Sequence, residues 1–333
     1  MKPPFTATSP TAPAEPFTAG WNRFWFTPAD PRPLCALRIG VGLFAALHFL
    51  SWSPDLPRWL AADGLLPVDT VAAFLAEDPT ALSADPTARA TLPIYLASPL
   101  QGCTSDGALW TFHYAAILAA AALACGLFTR TATIMTLAAL LSYVHRAPLL
   151  AGLSEPVLAF LLFYLCFAPA GVGFSLDRRL FSGEKPPLST GSGSIAANIA
   201  LRLIQVHLAA FYLMIGACKL YGDGWWDGLA IWHLLAQTQS RPLDLTFLRD
   251  YELLLNGWTH FVLYTQLAFG VLIWNHCWRP YVLGAAALMW LSLIPATGQP
   301  QFCLLMILAS GVFLPEETWR SRNTKEGNHG QST

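Results

Sequence analysis

An all-α integral membrane protein is the fold class this sequence predicts: a bundle of about eight transmembrane helices, capped on its outer face by short amphipathic helices. Three observations carry that reading. Of 333 residues, 54% are hydrophobic and only 12% charged, with a mean hydropathy of +0.45. A soluble domain carries about twice that charge and could not hide so much apolar surface in one core. The apolar residues are also gathered into eight stretches, most near the roughly 20 residues that cross a bilayer. Finally, Trp52, Trp59, Trp110, Trp225, Trp226, Trp232 and Trp258 fall near one set of stretch ends, as an interfacial aromatic belt does.

The elements follow in order. Residues 1–20, rich in Pro, Thr and Ala, read as a disordered tail without the apolar core of a signal peptide. The membrane domain spans 21–319, and 320–333 form a polar tail. The eight stretches are 34–52, 107–128, 131–149, 154–174, 195–218, 257–275, 280–296 and 300–315. Few residues join the second to the third, and Pro295 to Pro300 join the last two, so both pairs are expected as antiparallel neighbours. A cytoplasmic N-terminus puts eleven Lys and Arg inside against six outside, so both termini are expected in the cytoplasm. Frequent Ala, and Arg in preference to Lys, point to a GC-rich bacterium and hence its inner membrane.

Two long outer loops, 53–106 and 219–256, are acidic. Apolar residues recur at helical spacing over Val68–Ala76, Gly228–Leu235 and Leu243–Leu255, which predicts surface helices there. A net charge of -1 without clustered Lys or Arg argues against nucleic acid as a partner. Seven scattered cysteines form no Cys-x-x-Cys and no Cys/His grouping of ligand spacing, so no metal is expected. No internal repeat of transporter type is evident.

Charges inside spans cost roughly 2.5–3.5 kcal/mol on the insertion scale, so each needs a partner or a task. Arg38, near the start of the first span, is expected to snorkel to the inner face. Arg202 and Gln205 share a helix face, able to bind a headgroup or carboxylate, or to brace neighbouring helices through their carbonyls. Asp177 is expected to pair with an adjacent arginine. The histidines, spread over different spans, read as satisfied core or interface groups.

Lys219 is one of four lysines; the other three, Lys2, Lys185 and Lys325, lie in polar stretches. It ends a nearly unbroken apolar run, Phe211 to Cys218. A lysine held dehydrated there loses proton affinity and becomes a general base, whereas one reaching the interface is an anchor. Asp223 and Asp227, close in sequence, favour the charged form. Residue chemistry alone leaves both readings open, with the anchor ahead.

The stretch Leu203 to His207 through Tyr212 to Leu220, with Gly224-Trp225-Trp226-Asp227-Gly228 after it, resembles the hallmark of the horizontally transferred transmembrane domain (HTTM) family. That family includes the membrane part of vitamin K-dependent gamma-carboxylase. Three weaker segments agree: Trp25 to Leu34 with Arg38 and Gly40; Cys125 to Arg130; and Phe167-Ala168-Pro169 with Ser175-Leu176-Asp177. The similarity runs from about Trp21 to Trp319. It implies that Lys219 is the base that starts oxygenation of a quinol. Two departures matter. The carboxylases carry an Asn-His pair where this chain has Leu153-Ser154-Glu155-Pro156, and a further histidine near Leu293-Ile294-Pro295-Ala296. The chain also ends at Thr333, without the large outer region that engages a protein substrate, so full glutamate carboxylation is not expected.

The resemblance therefore implies an outer-face pocket centred on Lys219 for a hydrophobic, quinone-like or lipid ligand. Arg202, Gln205, Trp225, Trp226 and Asp227 are the candidate ligand-binding residues. The alternative is a non-catalytic scaffold, or an accessory subunit to a redox partner protein, in which Lys219 pairs with Asp223 or Asp227.

Overall fold

Proline and glycine punctuate this chain where its helices begin and end. Pro33, Pro57, Pro280 and Pro300 each occupy a first-turn position, where the missing N–H would have had no partner anyway. Gly126 and Gly298 close two helices in the left-handed conformation, φ 74° and 65°. The computed structural model describes residues 17–61, 63–68, 71, 98–103, 105–181, 193–237, 243–315 and 318. Among these, regular structure is helical throughout, apart from one antiparallel bridge between Ala29 and Ser194.

The helices are α1 (Phe17–Phe26), α2 (Arg32–Trp52), α3 (Leu56–Leu60), α4 (Asp106–Cys125), α5 (Thr129–Arg146), α6 (Ser154–Phe167), α7 (Leu176–Phe181), α8 (Ile195–Lys219), α9 (Asp223–Trp226), α10 (Ala230–Ala236), α11 (Glu252–Leu272), α12 (Arg279–Thr297) and α13 (Pro300–Ser310). One side of the bundle packs α2 against α4, α4 against α5 and α5 against α6; the other packs α8 against α11 and α11 against α12. Helix α13 sits between them, touching α2, α6 and α12. The buried side chains form one continuous apolar cluster running through both sides. Close approach of α2 and α4 depends on Gly42, where an added Cβ would lie 2.5 Å from the backbone nitrogen of Ala124.

A helix lies over each of the eight apolar stretches, and among the described residues four segments have the length and hydropathy of a span: Arg32–Leu60, Asp106–Cys125, Ile195–Lys219 and Arg279–Thr297. Helix α6, with 14 residues, is about 21 Å long and falls short of the roughly 30 Å hydrocarbon core. Ahead of it lie the 3-10 turn Pro148–Leu150 and a bend at Leu153 in place of further helical turns.

Several expectations are corrected. The N-terminal tail does not extend to residue 20, because α1 begins at Phe17. Asn198 holds that helix, its Nδ2 donating to the carbonyls of Phe24 (2.8 Å) and Trp25 (2.9 Å). The surface helix predicted over Leu243–Leu255 is broken. Asp244 accepts from both the amide and the hydroxyl of Thr246, a 3-10 turn follows over Thr246–Asp250, and α11 starts afresh at Glu252. The predicted helix over Gly228–Leu235 is found as α10, while nearly all of Val68–Ala76 lies outside the described residues.

Arg38 does not snorkel. It is fully buried, and its Nη2 donates to the Phe174 carbonyl (2.7 Å) while Nη1 donates to Thr129 Oγ1 (3.4 Å). Asp177 is engaged by backbone: its carboxylate accepts from the amides of Phe128 (3.0 Å) and Thr129 (3.4 Å), satisfying the N-terminus of α5. Ser175 Oγ donates to the Gly126 carbonyl (2.6 Å). Arg38, the Gly126 turn and Ser175–Asp177 thus form one polar knot where α2, α4, α5 and α7 meet. No side chain fits at Gly126, because its Cβ would strike the Arg38 guanidinium.

Candidate functional site

Helix α8 brings Lys219 to its last position, where the segments after it fold back over its C-terminal end. The turn Gly222-Asp223 leads into α9, which sets the Trp225 ring 4.7 Å from the Lys219 Nζ. From the facing helix α11, Gln266 Oε1 accepts a 2.6 Å hydrogen bond from Nζ. Helices α8 and α11 approach closely at Gly216 and Gly270, where an added Cβ would lie 2.9 Å from the Leu267 side chain and 2.8 Å from the Leu213 Cβ, and Tyr212 stacks on Phe269, rings 3.8 Å apart. Lys219 is half-buried, and no described carboxylate lies within ion-pair distance of it, Asp223 and Asp227 included.

Gln266 is fully buried, and its Nε2 has no hydrogen-bond partner. Such an orphaned buried donor is costly and calls for an explanation. With Oε1 on a lysine ammonium, Nε2 is left free for an acceptor from elsewhere. With the amide turned over, Nε2 would face Nζ, an arrangement only a neutral amine could accept. Either way the pair is arranged to respond to an incoming acceptor or to the loss of a proton. Gln266 was not singled out in the sequence, although a lone amide in Phe261 to Leu272 was the signal available.

The other candidate residues divide. Trp225 joins Lys219. Trp226 stands beside it, 57% exposed, donating to the Leu220 carbonyl (2.8 Å). Asp227 holds Asn256 Nδ2 through its backbone carbonyl (3.2 Å) and lines a cavity of about 510 Å³ beneath α10, together with His233, Arg249 and Glu252. Arg202 and Gln205 are not brought to Lys219: they lie seventeen and fourteen residues back along α8, roughly 25 and 21 Å away. Arg202 Nη1 donates to Gln205 Oε1 (3.0 Å), Gln205 Nε2 to the Val312 carbonyl (2.8 Å), and the guanidinium covers the Phe24 ring at 4.6 Å. The pair ties α1, α8 and the turn after α13 together, which is the bracing role.

A second polar group escaped sequence reasoning. His48 on α2, Glu155 on α6 and Gln301 on α13 meet at a cavity of about 570 Å³. His48 Nε2 is 3.6 Å from Glu155 Oε1, and His48 Nδ1 is 3.3 Å from Gln301 Oε1. An apolar groove of about 900 Å³, walled by Leu254, Trp258, Phe261 and Leu288, runs between α11 and α12. Neither of these cavities is lined by Lys219. Among the described residues no group of three or more His, Cys, Asp or Glu is placed to hold a metal ion. Comparison with family models, with curated proteins and with solved structures gives no match.

Proposed function

We propose that the chain is an eight-span protein of the bacterial inner membrane, similar to the membrane part of the vitamin K-dependent carboxylases. Both of its termini would be cytoplasmic. Its site is Lys219, Gln266 and Trp225, and its ligand a quinone-like ring. The carrying observation is the Lys219–Gln266 pair: an amine with one hydrogen bond and no ion pair, beside a buried amide donor without a partner. A quinol suits that pair, since its hydroxyl can give a proton to the amine while a lone pair of a quinol oxygen takes the free Nε2–H. Trp225 offers its face to the ring. Lys219 in its neutral form accepts one hydroxyl proton; the quinolate gives two electrons and its second hydroxyl proton to dioxygen, leaving quinone and hydroperoxide, which takes the proton back from Lys219 as hydrogen peroxide. Glutamate carboxylation is not part of the proposal, because Leu153-Ser154-Glu155-Pro156 stands where the carboxylases carry an Asn-His pair.

In the accessory-subunit reading Lys219 is held by Asp223 or Asp227, and no such ion pair is present. A redox partner protein retains a place as the reductase that regenerates quinol. Binding of phylloquinone hydroquinone, followed through tryptophan fluorescence in detergent, tests the site. Gln266→Leu is expected to weaken it roughly tenfold, the worth of one buried hydrogen bond. Equal affinity in wild type and variant, or no binding by either, contradicts the proposal.

A further inference from the structure

We propose that the cavity at His48 and Glu155 is a binding site for a small organic cation, a quaternary ammonium or a primary amine. It is separate from Lys219 and does not depend on the quinone reading. The site is built from three distant parts of the chain. The end of α2 supplies His48 and Trp52, the following turn and α3 supply Asp55 and Trp59, and the start of α6 supplies Glu155. The start of α13 closes it with Gln301.

Charge decides the class of ligand. Among the described residues, the lining holds two carboxylates, Asp55 and Glu155, one imidazole, and no lysine or arginine. Glu155 and His48 are both 5% exposed, so the floor of the cavity is an ionisable pair withdrawn from solvent. Even counted with His48 as an imidazolium, the lining sets one positive group against two carboxylates. On that count the described lining is net anionic, with Asp55 left over. Arg58 approaches Asp55 only at 3.9 Å, with both side chains largely exposed, and screens it weakly. An anionic cleft with low-dielectric walls concentrates cations.

Shape agrees with charge. Two indoles, Trp52 and Trp59, form the walls, and aromatic faces with a nearby carboxylate are the way proteins hold alkylammonium groups. A volume of about 570 Å³ is within the range of small-molecule pockets and exceeds what choline alone needs. An anionic ligand would meet two carboxylates and, among the described lining residues, no lysine or arginine. Glu155 Oε2 also accepts from the Gly152 amide (3.0 Å), which fixes the carboxylate in place before any ligand arrives.

The test is calorimetric titration of the full chain in non-ionic detergent with choline, and with its uncharged carbon isostere 3,3-dimethylbutan-1-ol. Choline is expected to bind and the isostere to bind at least tenfold more weakly. Glu155→Gln should weaken choline about tenfold, and Asp55→Asn several-fold. Asp55→Asn alters an exposed residue, so it decides the matter if the Glu155 variant fails to fold. Lysophosphatidylcholine binding tighter than choline assigns the cation to a lipid headgroup; weaker binding assigns it to a free amine. Equal binding of choline and its isostere, absence of choline binding, or unchanged affinity in both variants overturns the proposal.

Discussion

Lys219→Arg is expected to remove quinol-dependent oxygen uptake, lowering the rate at least roughly a hundredfold, the usual contribution of a positioned general base. The substitution is chosen for what it preserves. Arginine carries the same charge, reaches the same interface, donates to Gln266 Oε1 and lies over the Trp225 ring. An anchor would therefore survive it. What arginine cannot do is shed its proton near neutral pH, so a step that needs a neutral amine stops. Oxygen consumption by purified protein supplied with phylloquinone hydroquinone checks this, with wild type and variant matched for thermal stability. A variant as active as wild type, or a wild type that consumes none, removes the catalytic role.

Arg38→Ala is expected to destabilise the bundle by about 3 kcal/mol. That combines the loss of a charge-assisted hydrogen bond to the Phe174 carbonyl with the cavity left by a fully buried side chain. In thermal unfolding this corresponds to a midpoint roughly 5–10 °C lower. Arg38→Lys should fall between, since one ammonium cannot span Phe174 and Thr129 as the planar fork does. An unchanged midpoint in Arg38→Ala would mean that the side chain lies at the interface after all.

These two residues also show what a sequence of this kind reveals and what it hides. The helices were legible because apolar runs bounded by Pro and Gly are local signals, and the Arg202–Gln205 contact was legible from i, i+3 spacing alone. The role of Arg38 was not, because its partners Thr129 and Phe174 are 91 and 136 residues away. The partners of Asp177 were hidden for the same reason, since the amides of Phe128 and Thr129 reach it only once α7 packs near the start of α5. At the candidate site, Lys219 stood out as a charge at the end of an apolar run, and Trp225 followed from its neighbourhood. Gln266 and the His48–Glu155–Gln301 group did not, since each contact joins different helices and leaves no spacing to read. The segments behind the weaker parts of the family resemblance, at Arg38, Gly126 and Ser175–Asp177, gather in the polar knot away from Lys219.

The central claim is that Lys219 faces a ligand. With only four lysines in the chain, a spectrum of the protein labelled with nitrogen-15 at lysine Nζ contains four side-chain signals. Phylloquinone hydroquinone should shift the Lys219 signal, assigned as the one missing in Lys219→Arg, and leave Lys2, Lys185 and Lys325 in place. A Lys219 signal that stays put while quinol is added to saturation would contradict the account.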